Sequence, residues 1–170
     1  NQNLSLSGEI YYPQTIENSY DVSKKFIKDI IAISNDTLAL RTEYAIYIFH
    51  RGQQKIVAQY EIPEILWETD ACNGNLALDS RKMLWFAVLP NIIYFDGNQF
   101  RTLTLPTNED LGNGKIVFHQ QALNLTTSAG LFIFDNISQL LAISQQSNDT
   151  IPQEIFKHYT TLDGLIDNNI

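Results

Sequence analysis

Apolar residues in this chain recur in short runs that are rich in Ile, Leu, Phe and Tyr and are typical of β-strands. Three of these runs align without a gap, and each reads as a strand, a tight turn and a second strand: Thr37–Phe49, Met83–Phe95 and Ala122–Phe134. Their last residues, Phe49, Phe95 and Phe134, are 46 and 39 residues apart. Repetition at a period of about 40 residues is typical of repeat architectures.

Further candidate strands flank each of these pairs. They are predicted ahead of the pairs at Phe26–Ser34, Asn75–Asp79 and Lys115–Gln120, and behind them at Lys55–Ile62, Phe100–Leu105 and Leu140–Ser144. The clearest turn is Asp96-Gly97-Asn98, because Asp-Gly readily supplies the positive φ of hairpin turns. Four strands in each unit of about 40–46 residues predict an all-β fold made of four-stranded antiparallel β-propeller blades. A β-sandwich or jelly roll is the alternative, but it has no reason to repeat in register.

The blade pattern divides the chain into five parts. These are a leading fragment or end of a preceding blade at 1–25, blades at 26–66, 67–106 and 107–153, and the start of a further blade at 154–170. Isolated repeats leave apolar faces and strand edges uncovered. We therefore expect one incomplete propeller domain, part of a larger ring of about seven blades. A closed four-bladed ring stitched from both termini is the alternative, although the termini are short for four strands.

The C-terminal segment reads HYTTLDGLIDNNI and resembles the two-component-regulator propeller repeat. In that repeat a Tyr-Thr stretch leads to Asp-Gly-Leu and then to an Asn before an apolar residue. The matching positions are Tyr159, Thr160, Asp163, Gly164, Leu165, Asn168 and Ile170. Ile166 stands where the family usually has Pro, and the blade-centre pattern is split, with Trp85 in one blade and Thr127 with Gly130-Leu131 in another. The resemblance covers about residues 26–170.

Such repeats are familiar from the extracytoplasmic sensor regions of bacterial hybrid two-component systems, especially in Bacteroidota. The resemblance implies a non-catalytic, periplasmic or extracytoplasmic ligand-sensing module that recognises oligosaccharide and works with the remainder of its propeller and parent sensor. The alternative is a propeller scaffold for protein–protein interaction in a surface or secretion-associated protein. A weaker third option is an enzyme whose chemistry lies in other blades, since a fold does not fix a function.

The composition of the chain limits the classes of binding partner and site that we expect. Lys and Arg number 11 and Asp and Glu number 19, so the formal net charge of −8 argues against a nucleic-acid or anionic-membrane partner. No apolar run approaches the roughly 18 residues of a membrane helix, and no signal segment follows Asn1. Cys72 is the only cysteine, which excludes an intrachain disulfide and a Cys-based zinc site.

No catalytic signature occurs in the sequence. It has no Gly-x-Ser-x-Gly elbow and no complete phosphate-binding loop. His50, His119 and His158 lack partners at metal-motif spacing, so we interpret each as solvated or satisfied in the core. The polar loop at 108–114 lacks the pattern of a calcium loop, which favours an ordinary turn. We therefore expect no catalytic residue, no metal and no cofactor.

A ligand-binding face is predicted from the connectors. In a propeller the connectors from strand 4 to strand 1 and from strand 2 to strand 3 share one face, and loops on a rigid scaffold are where binding concentrates. This face collects Tyr44, Trp67, Glu68, Asp70, Asn108, Asp110 and Asp163. Trp67 could stack on a sugar while acids and amides bind its hydroxyls, or it could pack between blades. Trp85 lies inside a strand and is interpreted as blade packing.

Overall fold

The computed structural model describes residues 27–64, 75–107, 111–144 and 149–165. These residues form twelve strands in three four-stranded antiparallel sheets, with one α-helix and short 3-10 turns. The predicted all-β class is therefore confirmed for the described part of the chain. No helix in those residues is long and apolar enough to cross a membrane.

The first sheet follows the chain from one edge to the other. It contains β1 (Asp29–Ala32), β2 (Thr37–Arg41), β3 (Ala45–His50) and β4 (Lys55–Glu61), in that spatial order. Each strand lies within or one residue beyond its predicted range. A bulge shifts the register of β3 against β4 between Ile48 and Phe49, which bends the outer edge of the sheet.

The second sheet has the same order and is buried on both faces. It contains β5 (Ala77–Leu78), β6 (Leu84–Val88), β7 (Asn91–Phe95) and β8 (Phe100–Thr104). In β6 the side chains of Leu84 and Phe86 pack with the first sheet, whereas Trp85 packs with the third. Two covered faces explain why β6 reads as a continuous apolar run without alternation.

The third sheet contains β9 (Lys115–His119), β10 (Ala122–Thr127), β11 (Gly130–Phe134) and β12 (Lys157–Tyr159). Its spatial order is β9-β10-β11-β12. A long insertion separates β11 from β12 and includes helix α1 (Ile137–Ile143) and a 3-10 turn at Gln153–Ile155.

The predicted strand at Leu140–Ser144 is wrong, because these residues belong to α1 and its C-terminal end. The Asn136 side chain accepts a hydrogen bond from the Ser138 N–H at 2.9 Å and so caps the helix. Ile137, Leu140 and Leu141 then share one buried face at helical spacing. The outer place in the third sheet is taken by β12, which lies in the segment 154–170 that was predicted to begin a further blade.

Helix α1 and the chain after it seal the junction between the second and third sheets. The buried side chains of α1 join the same apolar cluster as Trp85 and Leu123. The Tyr94 hydroxyl hydrogen-bonds the Ser144 hydroxyl at the end of the helix. Farther on, the Thr104 N–H donates to the Asp149 carbonyl at 2.8 Å, which covers part of the outer edge of β8.

Candidate functional site

In each sheet the turn between the two middle strands meets the connector that joins neighbouring sheets. The Ile62 N–H, just after β4, donates to the Tyr44 carbonyl at 2.8 Å, and the Leu105 N–H, just after β8, donates to the Pro90 carbonyl at 3.0 Å. In the third sheet the Ser128 N–H donates to the Leu111 carbonyl at 3.1 Å. Turns and connectors therefore share one end of each sheet, as the sequence predicted for the binding face.

The turns of this face are fixed by one repeated threonine position. The Thr42 hydroxyl accepts from the Tyr44 N–H at 3.3 Å, and the Thr127 hydroxyl accepts from the Ala129 N–H at 3.1 Å. The equivalent residue of the second sheet is Val88, whose turn partner Pro90 has no N–H to satisfy. Thr42, Val88 and Thr127 occupy the same place in the three aligned runs, and the residue at that place matches the backbone hydrogen-bonding needs of its turn.

Two of the seven predicted binding residues lie in the described part of the chain, and they belong to different sheets. Tyr44 is half-buried in the turn between β2 and β3. Asp163 follows β12. The other five lie outside the described residues, as does Cys72: Trp67, Glu68, Asp70, Asn108 and Asp110. Their role in binding stays a prediction.

Asp163 has a local structural task. One oxygen of its carboxylate, Oδ2, accepts from the Thr160 N–H at 2.8 Å and from the Thr160 hydroxyl at 3.1 Å. The Thr160 hydroxyl in turn accepts from the Leu162 N–H at 3.2 Å, and Gly164 ends the 3-10 turn with φ of +96°. This is a capping box. The capping box therefore gives Thr160, Asp163 and Gly164, three residues of the repeat-like motif, a role in local folding.

An open groove of about 320 Å³ lies beside this face, between the connector after β8 and the outer strands of the third sheet. Its lining combines aromatic rings with polar side chains: Pro106, Thr107, Phe132, Gln153, Phe156 and His158. The His158 ring stacks on Phe132 with centroids 4.0 Å apart and planes at 8°, and Phe156 tilts against Phe132 at 5.6 Å. Such a mixed lining suits a ligand with both apolar and hydroxyl-bearing surfaces.

His158 is held in a fixed orientation within this groove. Its Nε2 lies 3.0 Å from the Ala129 carbonyl oxygen. A carbonyl can only accept, so Nε2 carries the proton of this hydrogen bond. The ring is therefore satisfied by stacking and by backbone, which agrees with the expectation of a satisfied histidine. Across the described ranges, no cluster of three His, Cys, Asp or Glu side chains could hold a metal ion.

The groove was not predicted from the sequence. Its walls come from residues that span 52 positions, from Pro106 to His158, and the long insertion before β12 hides their proximity. The signal that was available is the alternation in Phe156-Lys157-His158, which places the two rings on one face of a strand. On the opposite face Lys157 is exposed, and its hydrogen bond to Asp135 at 2.7 Å raises the pKa of its amine.

Trp85 has the packing role that the sequence indicated. It is completely buried, and its indole N–H donates to the Asp79 carboxylate at 3.3 Å. The ring stacks on Tyr94 at 4.7 Å and meets the edge of Phe118 at 5.7 Å. A ring enclosed in this way holds the second and third sheets together and is not presented to a ligand.

Comparison with known proteins identifies structural relatives only. No protein-family model matches the chain, and no curated protein matches it significantly. The fold is similar to part of a Bacteroides thetaiotaomicron crystal structure, the extracellular domain of the protein assigned as the hybrid two component system BT3049. The TM-score is 0.56 at 23% identity, covering 86% of this chain and 18% of that chain. This likeness shows a shared fold.

A second solved structure from the same organism is more distant. It is the extracellular domain of the protein assigned as the one component system BT4673, with a TM-score of 0.46 and 13% identity over 85% of this chain and 18% of that chain. The chain thus spans less than a fifth of the length of either matched domain.

Proposed function

We propose that this chain forms consecutive blades of a β-propeller in the extracytoplasmic sensor region of a bacterial two-component signalling system, where it serves as a non-catalytic ligand-sensing module. The observation that carries the proposal is the fold likeness to an extracellular domain of a two-component system over 86% of the chain. The repeat-like segment at Tyr159–Gly164 supports the same assignment.

The arrangement of the sheets supports a propeller. All three sheets follow the chain from one edge strand to the other, and their facing sides share apolar clusters. Their connectors meet the turns between the middle strands. In a propeller β1, β5 and β9 would then line the central channel, and the connectors would form one ligand-binding face.

The proposed ligand is an oligosaccharide bound on that face. Trp67 would stack on the apolar side of a sugar ring, and the neighbouring Glu68 and Asp70 would accept hydrogen bonds from its hydroxyls. The groove beside Phe156 adds aromatic and amide surface at the outer rim of the same face. An acidic protein of net charge −8 fits a neutral, hydroxyl-rich ligand better than a polyanion.

Calorimetry of the complete propeller against a panel of oligosaccharides tests this proposal. We expect at least one sugar to bind, and Trp67→Ala to weaken that binding at least tenfold without lowering the thermal midpoint. Gln53→Ala is the control, because Gln53 is exposed in the turn between β3 and β4, at the opposite end of its sheet.

Two results would count against the sugar proposal. Unchanged affinity with a lowered midpoint in Trp67→Ala would make that residue structural. An absence of heat with every sugar, together with tight binding to a protein, would favour the interaction scaffold. One observation favours the interaction scaffold: Leu162, on the 3-10 turn Thr161–Asp163, is 96% exposed.

A further inference from the structure

Each of the three sheets has a residue at one equivalent position, on the side of the sheet where the following sheet packs. The aligned residues Leu38, Leu84 and Leu123 pair with Ala32, Leu78 and Phe118 of the first strands. The equivalent position lies three residues before each of these partners, at Asp29, Asn75 and Lys115. We call Asp29, Asn75 and Lys115 the junction positions. Asp29 and Lys115 begin the first strands of their sheets, and Asn75 lies two residues ahead of β5.

The first two junction positions bind the backbone of the following sheet at the same point. The Asp29 carboxylate accepts from the Leu76 N–H at 2.5 Å. The Asn75 amide accepts from the Ile116 N–H at 2.7 Å and donates to the Ile116 carbonyl at 2.9 Å. Leu76 and Ile116 occupy the same register position in their sheets, so the contact repeats with the fold.

The third junction position faces away from the second sheet, and none of the sheets formed by the described residues covers it. Lys115 is exposed, and so is Val117 two residues later, at 56%. The residue equivalent to Val117 in the second sheet, Ala77, is only 6% exposed because the third sheet covers it. The open face of the third sheet therefore continues, position by position, an interface that the molecule already makes twice.

This open face differs in charge from the earlier junctions. Lys115, His119 and Lys157 lie on it around an apolar centre that includes Val117 and Tyr159. A lysine amine only donates, so Lys115 cannot accept a backbone N–H as Asp29 and Asn75 do. It can donate to a backbone carbonyl, and if it becomes half-buried as Asp29 and Asn75 are, a nearby carboxylate would offset the cost of desolvating its charge.

We propose that the open face of the third sheet is the docking surface for a further four-stranded sheet of the same protein that presents a carboxylate to Lys115. This proposal rests on the proposed propeller. It adds that charge selects which sheet docks here. At the first junction the Asp29 carboxylate accepts from the next sheet, whereas here the Lys115 amine would donate to a carboxylate of the next sheet. A neighbouring sheet that offered only an N–H at this point would fit less well, because the Lys115 amine would be partly desolvated there without an acceptor.

Amine labelling and carbodiimide cross-linking of the protein with its complete propeller test the docking surface. We expect Lys115 to react with an amine reagent at least tenfold more slowly than Lys55, the matched control, which is exposed at the start of β4. Carbodiimide should join Lys115 to an Asp or Glu outside residues 27–165 of the same polypeptide. Labelling of Lys115 as fast as of Lys55 would overturn the proposal, and so would a cross-link to a second copy of the chain.

Substitutions give an independent measurement. Lys115→Glu should lower the urea midpoint of the complete protein, and Lys115→Arg should leave it within error. Equal midpoints for Lys115→Glu and the wild type would contradict the charged junction. Failure of sugar binding would instead contradict the sensor proposal, because the labelling rate of Lys115 does not depend on any ligand.

Discussion

Gly130 begins β11 at a point where β12 leaves no room for a side chain. Its φ is +128°, and a Cβ there would lie 2.2 Å from the Tyr159 carbonyl oxygen. Because that neighbour is backbone, it cannot move aside without breaking the pairing of β11 with β12. We expect Gly130→Ala to lower the free energy of unfolding by about 2–4 kcal/mol, measured by urea denaturation.

Gly97→Ala is the matched control for this substitution. Gly97 has a φ of +97°, but a Cβ there would meet nothing within 4 Å. It should therefore show only the backbone strain of a side chain at positive φ, about 1 kcal/mol. Equal losses for the two variants would show that the close approach of β12 is not the cause.

Asp96 adds a pH-dependent contribution in the turn between β7 and β8. Burial raises the pKa of its carboxyl, but hydrogen bonds from the Gln99 and Asn98 N–H groups and the Arg101 guanidinium lower the pKa by more. A carboxyl whose pKa is lowered by folding stabilises the fold at pH values above its ordinary pKa of 3.8. This stabilisation is lost as the pH falls through the folded-state pKa.

We therefore expect Asp96→Asn to be less stable than the wild type near neutral pH, by up to about 1 kcal/mol. The difference should shrink as the pH falls below about 4 and on through the lowered pKa of folded Asp96, because a protonated carboxyl carries no charge, like the amide of Asn. Urea denaturation at a series of pH values measures it. A difference that stays constant from pH 7 to pH 3 would exclude the charge of Asp96 as its source.

At the level of elements, helix α1 lies in the insertion between β11 and β12, where the described links of the other two sheets are the short turns 51–54 and 96–99. Leu140 is completely buried in the cluster between the second and third sheets. Leu140→Ala should lower the free energy of unfolding by about 2–5 kcal/mol, because it leaves a cavity there. Gln139→Ala, one residue earlier on the exposed side of α1, should change it by less than about 0.5 kcal/mol. Similar values for both would contradict the packing role of α1.

The strand pairs were predictable because each carries its own signals. In β10 and β11, for example, apolar residues flank a short turn that ends at Gly130, so the local sequence was sufficient. Helix α1 was not predicted, since the apolar run Leu140–Ile143 is too short to distinguish a buried strand from a helix. Asn136, which caps the helix, was the signal for it.

For the molecule as a whole, the sequence predicted which end of the sheets carries the turns and connectors better than it predicted the role of each side chain there. The shared end of turns and connectors follows from strand order alone, and it is present in all three sheets. Side-chain roles were harder, because a carboxylate such as Asp163 looks the same in sequence whether it caps a turn or binds a ligand. The groove at Phe132 and His158 depends on contacts across the insertion, which no local pattern specifies.

A crystal structure of the complete protein is the sharpest test of the proposed propeller and its charged junction. We predict a closed ring in which β1, β5 and β9 line the channel and the Asn75 amide still binds the Ile116 backbone. A further four-stranded sheet should lie on the open face of the third sheet, with a carboxylate beside Lys115. A structure in which that face is open to solvent, or in which the three sheets belong to a sandwich, would contradict it.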